Sequence, residues 1–167
     1  MIWFIFFACG PNATDITKNL SSDNPVVRED SAKIARNVTP SSELVSALIL
    51  MLDDPSLKAQ KNAIETLVEL EAEEAVPRLC ELLLDPTISD PILHSTLDAL
   101  GRLKSKEAVP SLIDFLSKNP NEPELDAIWA LGFIGDNRAM DILSELRMHS
   151  DAYVSHNATV ALRELRP

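Results

Sequence analysis

Few residues in this sequence have the type and spacing that catalysis requires. His94 and Asp98 lie one helical turn apart, so a histidine–carboxylate pair is geometrically possible. Such a pair acts as a general base only when a nucleophile or metal ligand converges on it. Since the sequence indicates none, we expect a surface ion pair next to Arg102. We predict no catalytic residue and no enzyme activity.

Metal and cofactor sites are also not indicated. The two cysteines, Cys9 and Cys80, occur in different contexts, and two thiols alone do not complete a zinc site. Cys80 occupies the position that holds Ile113 in a related segment, so we expect a small, buried apolar side chain. We therefore predict no metal and no cofactor.

The composition favours a helical protein with an acidic surface. Hydrophobic residues make up 46% of the 167 residues and aromatic residues only 5%, which is typical of helices packed on helices. The formal net charge is −11, and the lysines and arginines are scattered. Because nucleic-acid binding requires a basic face that neutralises phosphates, we predict no nucleic-acid partner.

An internal repeat positions the candidate residues. AVPRLCELL at 75–83 is matched by AVPSLIDFL at 108–116, and each is followed by a second similar half, STLDALGRL at 95–103 and DAIWALGFIG at 126–135. The pattern predicts that each unit forms a pair of helices, an apolar first helix and an alanine-rich second helix. The anchor residue of the second half recurs at spacings of 32, 33, 31 and 31 residues, at Ala35, Leu67, Leu100, Leu131 and Leu162.

The repeat divides the chain into an array and an N-terminal stretch. Stacked helix pairs of nearly equal length predict an all-α fold, an α-solenoid. We predict an apolar segment at 1–9, a linker at 10–15 and the array at 16–167, with units at about 16–40, 43–72, 75–106, 108–137 and 139–167.

The combined pattern AVP-x-L-x-x-L-L, then DP, then V-R-x-x-A-A-x-A-L-G-x-I-G resembles the HEAT-like repeat family of the bilin-lyase type. The segments that carry it are DNPVVREDSAKIA at 23–35 and the two matched pairs above. The resemblance implies a superhelix of about five HEAT-like two-helix repeats, whose second helices line a concave, partner-binding surface. Departures from the pattern are Arg36, Val68 and Arg163, which replace its glycine.

The family pattern also indicates which side chains face outward. Its third, seventh and eleventh second-helix positions form one ridge, because residues four apart share a helix face. The ridge comprises Glu29, Lys33 and Asn37; Lys61, Glu65 and Glu69; His94, Asp98 and Arg102; Leu125, Trp129 and Phe133; and His156, Val160 and Glu164.

The fourth unit breaks the polar character of this ridge. Leu125, Trp129 and Phe133 are apolar where the first three units are polar, and Val160 lies beside them. Exposed apolar patches with charged rims mark partner sites. We predict that these four residues bind a protein or peptide, with a rim of His94, Asp98, Arg102, His156 and Glu164.

Internal packing is the alternative for this patch. Trp129 would then be covered by the 118–124 loop or by the N-terminal segment, and Trp129→Ala would lose about 2 kcal/mol or more of folding stability.

Two functions fit this sequence. The first is a non-catalytic scaffold that binds a polypeptide through the second helices. The second, implied by the resemblance, is a bilin-lyase-like enzyme or enzyme subunit that acts on a tetrapyrrole or its carrier protein. HEAT-like deoxyhypusine hydroxylases ligate iron through His-Glu pairs, and no histidine of this sequence precedes a glutamate.

The first ten residues, MIWFIFFACG, lie outside the repeat. They resemble the end of a bacterial lipoprotein signal peptide, in which an apolar run and a small residue, here Ala8, precede a cysteine. This predicts lipidation of Cys9 and a membrane-anchored lipoprotein of the cell envelope, with membrane contact only through that lipid. In the alternative, the segment caps the first unit and the protein is cytoplasmic.

Overall fold

The structure, a computed structural model, describes residues 12–120 and 124–165. This part of the chain is helical and contains no strand, which confirms the predicted all-α solenoid. Consecutive helices pack as five pairs. They are α1 (Ala13–Asn19), α2 (Pro25–Ala35), α3 (Ser42–Leu50), α4 (Leu57–Glu69), α5 (Val76–Leu83), α6 (Asp90–Leu103), α7 (Val109–Lys118), α8 (Leu125–Ile134), α9 (Met140–Leu146) and α10 (Ala152–Glu164).

Helix starts follow from caps and prolines in the sequence. The side chain of Asn24 accepts a hydrogen bond from the Val26 N–H at 3.0 Å, which satisfies a backbone donor at the start of α2. Pro77 and Pro110 stand in the first turns of α5 and α7, where a backbone N–H has no helical partner. α1 begins at Ala13, inside the stretch 10–15 that was predicted as a linker.

The core lies between the first and second helices. Leucines of the first helices are completely buried, among them Leu44, Leu79, Leu112 and Leu143. Burying each such side chain contributes about 1.5–3 kcal/mol, so the aliphatic stripe holds the helix pairs together. Within the described residues, no helix is long and apolar enough to span a bilayer.

Small residues allow the second helices to pack closely. α8 packs against both α6 and α10. A Cβ atom placed on Gly132 would lie 2.8 Å from both Cα and Cβ of Ala161, and one on Gly101 would lie 2.7 Å from Cζ3 of Trp129. The glycine column of the repeat therefore brings the helices into contact and places the Trp129 ring over α6.

Polar bonds set the register between the first two units. The Thr66 hydroxyl donates to the Ala32 carbonyl at 2.8 Å, and the Asn62 amide donates to the Glu29 carbonyl at 3.0 Å. Both bonds run from α4 to the backbone of α2. They orient one second helix on the next without requiring a charge.

A partly buried ion pair joins the same two units. Arg28 donates from Nε to Asp54 Oδ2 at 2.6 Å and from Nη2 to Asp54 Oδ1 at 2.9 Å. The Ser56 N–H donates to the same Oδ1 at 2.8 Å. These bonds, chiefly those from Arg28, hold the pKa of Asp54 below its ordinary value. Because the pair is bidentate, it fixes the turn between α3 and α4 against α2.

Candidate functional site

The second helices place an aromatic pair on their outward face. Trp129 and Phe133 are one turn apart on α8, and their rings stack at 4.8 Å between centroids with 14° between planes. Trp129 is 42% exposed, Phe133 43% and Val160 of α10 41%. The structure thus brings three of the predicted site residues together as a single exposed surface, which we call the aromatic patch.

A lysine contributes a cation to this patch. α6 ends at Leu103, and Lys104 adopts a left-handed backbone conformation with φ 52°. Its Nζ lies 4.4 Å from the centre of the Phe133 ring, within cation–π range. The ring of Phe133 therefore contacts both an indole and an ammonium group.

An apolar cavity opens between α8 and α10. It has a volume of about 290 Å³. Trp129, Phe133 and Val160 line it, and the contact between Gly132 and Ala161 forms part of the same lining. Small residues at that contact leave room between the larger side chains, so the cavity can accept an apolar group.

A more polar groove lies on the other side of Trp129, across α4, α6 and α8. Its volume is about 520 Å³. The charged and polar side chains in its lining are Lys61, Glu65, His94, Ser95, Asp98, Arg102 and Asp126, together with Trp129. Trp129 is therefore shared by an apolar cavity and a polar groove.

The pairing of His94 differs from the sequence-based expectation. His94 Nδ1 lies 2.8 Å from Asp126 Oδ2, in the next unit, so the pairing with Asp98 was wrong. Asp98 instead pairs with Arg102, at 3.4 Å. Stacking of adjacent units brings α6 and α8 side by side. Asp126 on α8 is therefore a closer partner for His94 than Asp98, which lies one turn away on α6. Both pairs are exposed.

Two of the predicted site residues, Leu125 and His156, lie outside the linings of both cavities. Leu125 lies one turn before Trp129 on α8 and is exposed, and His156 is exposed on α10. Neither lines the apolar cavity or the polar groove described above. The proposed cover of Trp129 by the 118–124 loop or the N-terminal segment involves residues 121–123 and 1–11, which lie outside the described residues, as does Cys9.

The polar groove holds side chains that are already engaged. The Ser95 hydroxyl donates to the Pro91 carbonyl at 2.9 Å. Within the described residues, no group of three or more histidine, cysteine or carboxylate side chains is arranged to hold a metal ion. The groove thus offers two ion pairs, Lys61–Glu65 and Arg102–Asp98, and a histidine–carboxylate pair, which can recognise charged or hydrogen-bonding groups.

Cys80 is less buried than the sequence indicated. It is half-buried on α5 and packs against the core. Burial raises the pKa of its thiol. The thiol is therefore mostly protonated near neutral pH and is a poor nucleophile.

Several lining residues were missed by following the ridge columns alone. Asp126, Asn157 and Ala161 each lie one position beyond a ridge residue on the same helix. Lys104 follows the end of α6 and has no equivalent in the ridge. The signal that could have identified the first three is their regular occurrence next to the ridge in successive units.

The sequence matches the family model described as HEAT repeats over residues 13–92 and 89–163. The chain belongs to the HEAT repeat family. This match confirms the family resemblance that the repeated segments indicated. No curated protein matches the sequence.

Solved structures with the same architecture include a chain from the complex of CpcE and CpcF of phycocyanin lyase from Nostoc sp. PCC7120. It has a TM-score of 0.73 and 24% identity, and the match covers 99% of this chain and 70% of that chain. A designed armadillo repeat protein in complex with the peptide (KR)4 has a TM-score of 0.62 and 20% identity, with coverage of 92% and 82%. At these identities the likenesses show the fold alone.

Proposed function

We propose that this protein is a non-catalytic scaffold that binds a polypeptide through the second-helix surface, with Trp129 and Phe133 as the main contacts. The observation that carries the proposal is the aromatic patch itself. The equivalent ridge positions of the first three units hold polar side chains, whereas here two stacked rings stand about two-fifths exposed.

A polypeptide fits the patch better than other ligand classes. Tryptophan is enriched among the residues that dominate protein interfaces. The apolar cavity, at about 290 Å³, is just below the range of about 300–1,000 Å³ that is usual for small-molecule sites. The net charge of −11 opposes binding to nucleic acid. Designed armadillo repeat proteins of the same architecture bind peptides, which supports this class of partner.

A bilin-lyase-like role is the second candidate. The observation that favours it is the polar groove of about 520 Å³, which has the size of a ligand site and is bordered by an aromatic side chain. The likeness to a chain of the phycocyanin lyase complex agrees with this possibility at the level of the fold. A bilin titrated into the purified protein would then give a shifted absorption band, and an unchanged spectrum would count against this role.

Selection from a random peptide library tests the scaffold proposal. Peptides selected on the full chain are measured against wild type and Trp129→Ala. Loss of a central tryptophan contact weakens binding by at least about 2 kcal/mol, or about 30-fold in Kd. Leu50→Ala is the matched control, because Leu50 is 75% exposed but lies on a first helix away from both cavities.

Unfolding free energies separate a binding contact from a packing contact. We expect Trp129→Ala to lose less than about 2 kcal/mol of stability, since the ring is partly exposed. Trp129→Phe should retain stacking on Phe133 and recover part of the affinity. Selected peptides that bind Trp129→Ala as tightly as wild type would refute the proposal.

A further inference from the structure

We propose that the polypeptide bound at the aromatic patch is a cationic segment, which seats one aliphatic or aromatic side chain in the apolar cavity and directs lysine or arginine side chains to Asp126 and Asp98. This inference rests on the proposed function and specifies the chemistry of its partner.

The apolar cavity sets the requirement for an anchor side chain. Three apolar side chains, those of Trp129, Phe133 and Val160, surround it, and each is about two-fifths exposed. An apolar group that enters this cavity removes all three from water. Asn157 and Glu164 are the polar residues of the lining, and they would offer hydrogen-bonding groups to the backbone of the bound partner. A polar segment with one apolar side chain would both fill the apolar cavity and form hydrogen bonds with these residues.

The charge of the adjoining polar groove selects a cationic neighbour for that anchor. Three carboxylates, Glu65, Asp98 and Asp126, line the groove with two cations, Lys61 and Arg102. The first two carboxylates pair with these cations, at 3.9 Å and 3.4 Å.

Asp126 has a different partner from the other two carboxylates. Within the described residues it contacts a histidine at 2.8 Å and forms no ion pair with a lysine or arginine. Of the three carboxylates in the groove, Asp126 is therefore the one whose charge is least compensated by a lysine or arginine. A partner lysine or arginine would supply that compensation, and the net charge of −11 attracts cationic segments from a distance.

The positions along α8 define the spacing between anchor and charge. Asp126 lies in the first turn of α8 and Phe133 in the last, roughly 10 Å apart at about 1.5 Å per residue. The Lys104 ammonium lies over the Phe133 ring, at the other end of α8 from Asp126. An extended peptide covers that distance in about three residues. A basic side chain is therefore expected within about three positions of the anchor, on the Asp126 side.

The test uses the peptides selected from the random library on the full chain. Those whose binding depends on Trp129 should contain lysine or arginine within about three positions of an apolar residue. Their affinity should fall between about 0.1 M and about 1 M salt, because the Debye length decreases from about 10 Å to about 3 Å.

Substitutions that remove one charge should change the peptide affinity, and the two members of the Asp98–Arg102 ion pair should change it in opposite directions. Asp126→Asn and Asp98→Asn should each weaken binding about 2–5-fold, as expected for exposed ion pairs. Arg102→Gln should strengthen it by a similar factor, because Asp98 loses its internal partner. Asp141→Asn is the matched control, since this exposed aspartate on α9 removes the same charge away from both cavities.

The outcomes distinguish this inference from the proposed function. Peptides that depend on Trp129 but lack basic residues, or that bind Asp126→Asn as tightly as wild type, overturn the cationic partner and leave polypeptide binding intact. A library that yields no peptide dependent on Trp129 overturns both.

Discussion

Gly132→Ala should destabilise the array by about 1–2 kcal/mol. The new methyl group would lie 2.8 Å from the Cα of Ala161, a backbone atom of α10 that cannot rotate away. Overpacking of this kind costs typically about 1–3 kcal/mol, and we expect the upper part of that range because the contact is with the backbone. The higher helix propensity of alanine offsets about 0.5–1 kcal/mol of this loss of stability.

Urea unfolding followed by far-UV circular dichroism measures this change. Gly101→Ala is the matched control, because it makes the same exchange in the last turn of another second helix. Its nearest contact is Cζ3 of Trp129, at 2.7 Å, a side-chain atom that can move, with the Ala130 Cα next at 3.1 Å. We expect a smaller loss for Gly101→Ala than for Gly132→Ala. A Gly132→Ala protein as stable as wild type, or a reversed order of the two variants, would refute the close approach of α8 and α10.

Three further predictions concern acid stability and the two cysteines. The bonds from Arg28 hold the pKa of Asp54 below its ordinary value in the folded protein, so the stabilisation by this carboxylate is complete above the unfolded pKa and is lost as the pH falls through the folded pKa. Asp54→Asn should therefore lower the unfolding free energy at pH 7 and lower it less under strongly acidic conditions. An equal loss at both would contradict this. In a Cys9→Ser background, Cys80 should react with a thiol reagent more slowly in the folded protein than in urea, and equal rates would contradict its burial. The lipidation of Cys9 stays a prediction, and mass spectrometry of the native protein that shows an intact Met1 would contradict it.

The repeat made the fold predictable from the sequence. The recurring anchor residues and the two matched pairs of segments indicated paired helices, and the structure places Pro77 and Pro110 of these segments in the first turns of α5 and α7. These signals are local, because helix periodicity and first-turn prolines depend on neighbouring residues. Leu79 and Leu112, the matching leucines of AVPRLCELL and AVPSLIDFL, are both completely buried.

Contacts between units were less predictable. His94 was matched to a carboxylate one turn away, whereas its partner Asp126 is in the next unit. The position of Lys104 over the Phe133 ring depends on a left-handed residue after α6, for which the sequence has no glycine signal. Such contacts depend on how far one helix is displaced along its neighbour, and a repeat pattern fixes that displacement only to within a few residues.

The fluorescence of Trp129 in a Trp3→Phe variant tests polypeptide binding at the aromatic patch most directly. The chain has two tryptophans, so in this variant Trp129 is the sole indole. Saturation with a selected peptide should shift its emission to shorter wavelength and protect it from a soluble quencher, because the ring leaves water. Saturating binding that leaves both the emission and the quenching of Trp129 unchanged would contradict the account.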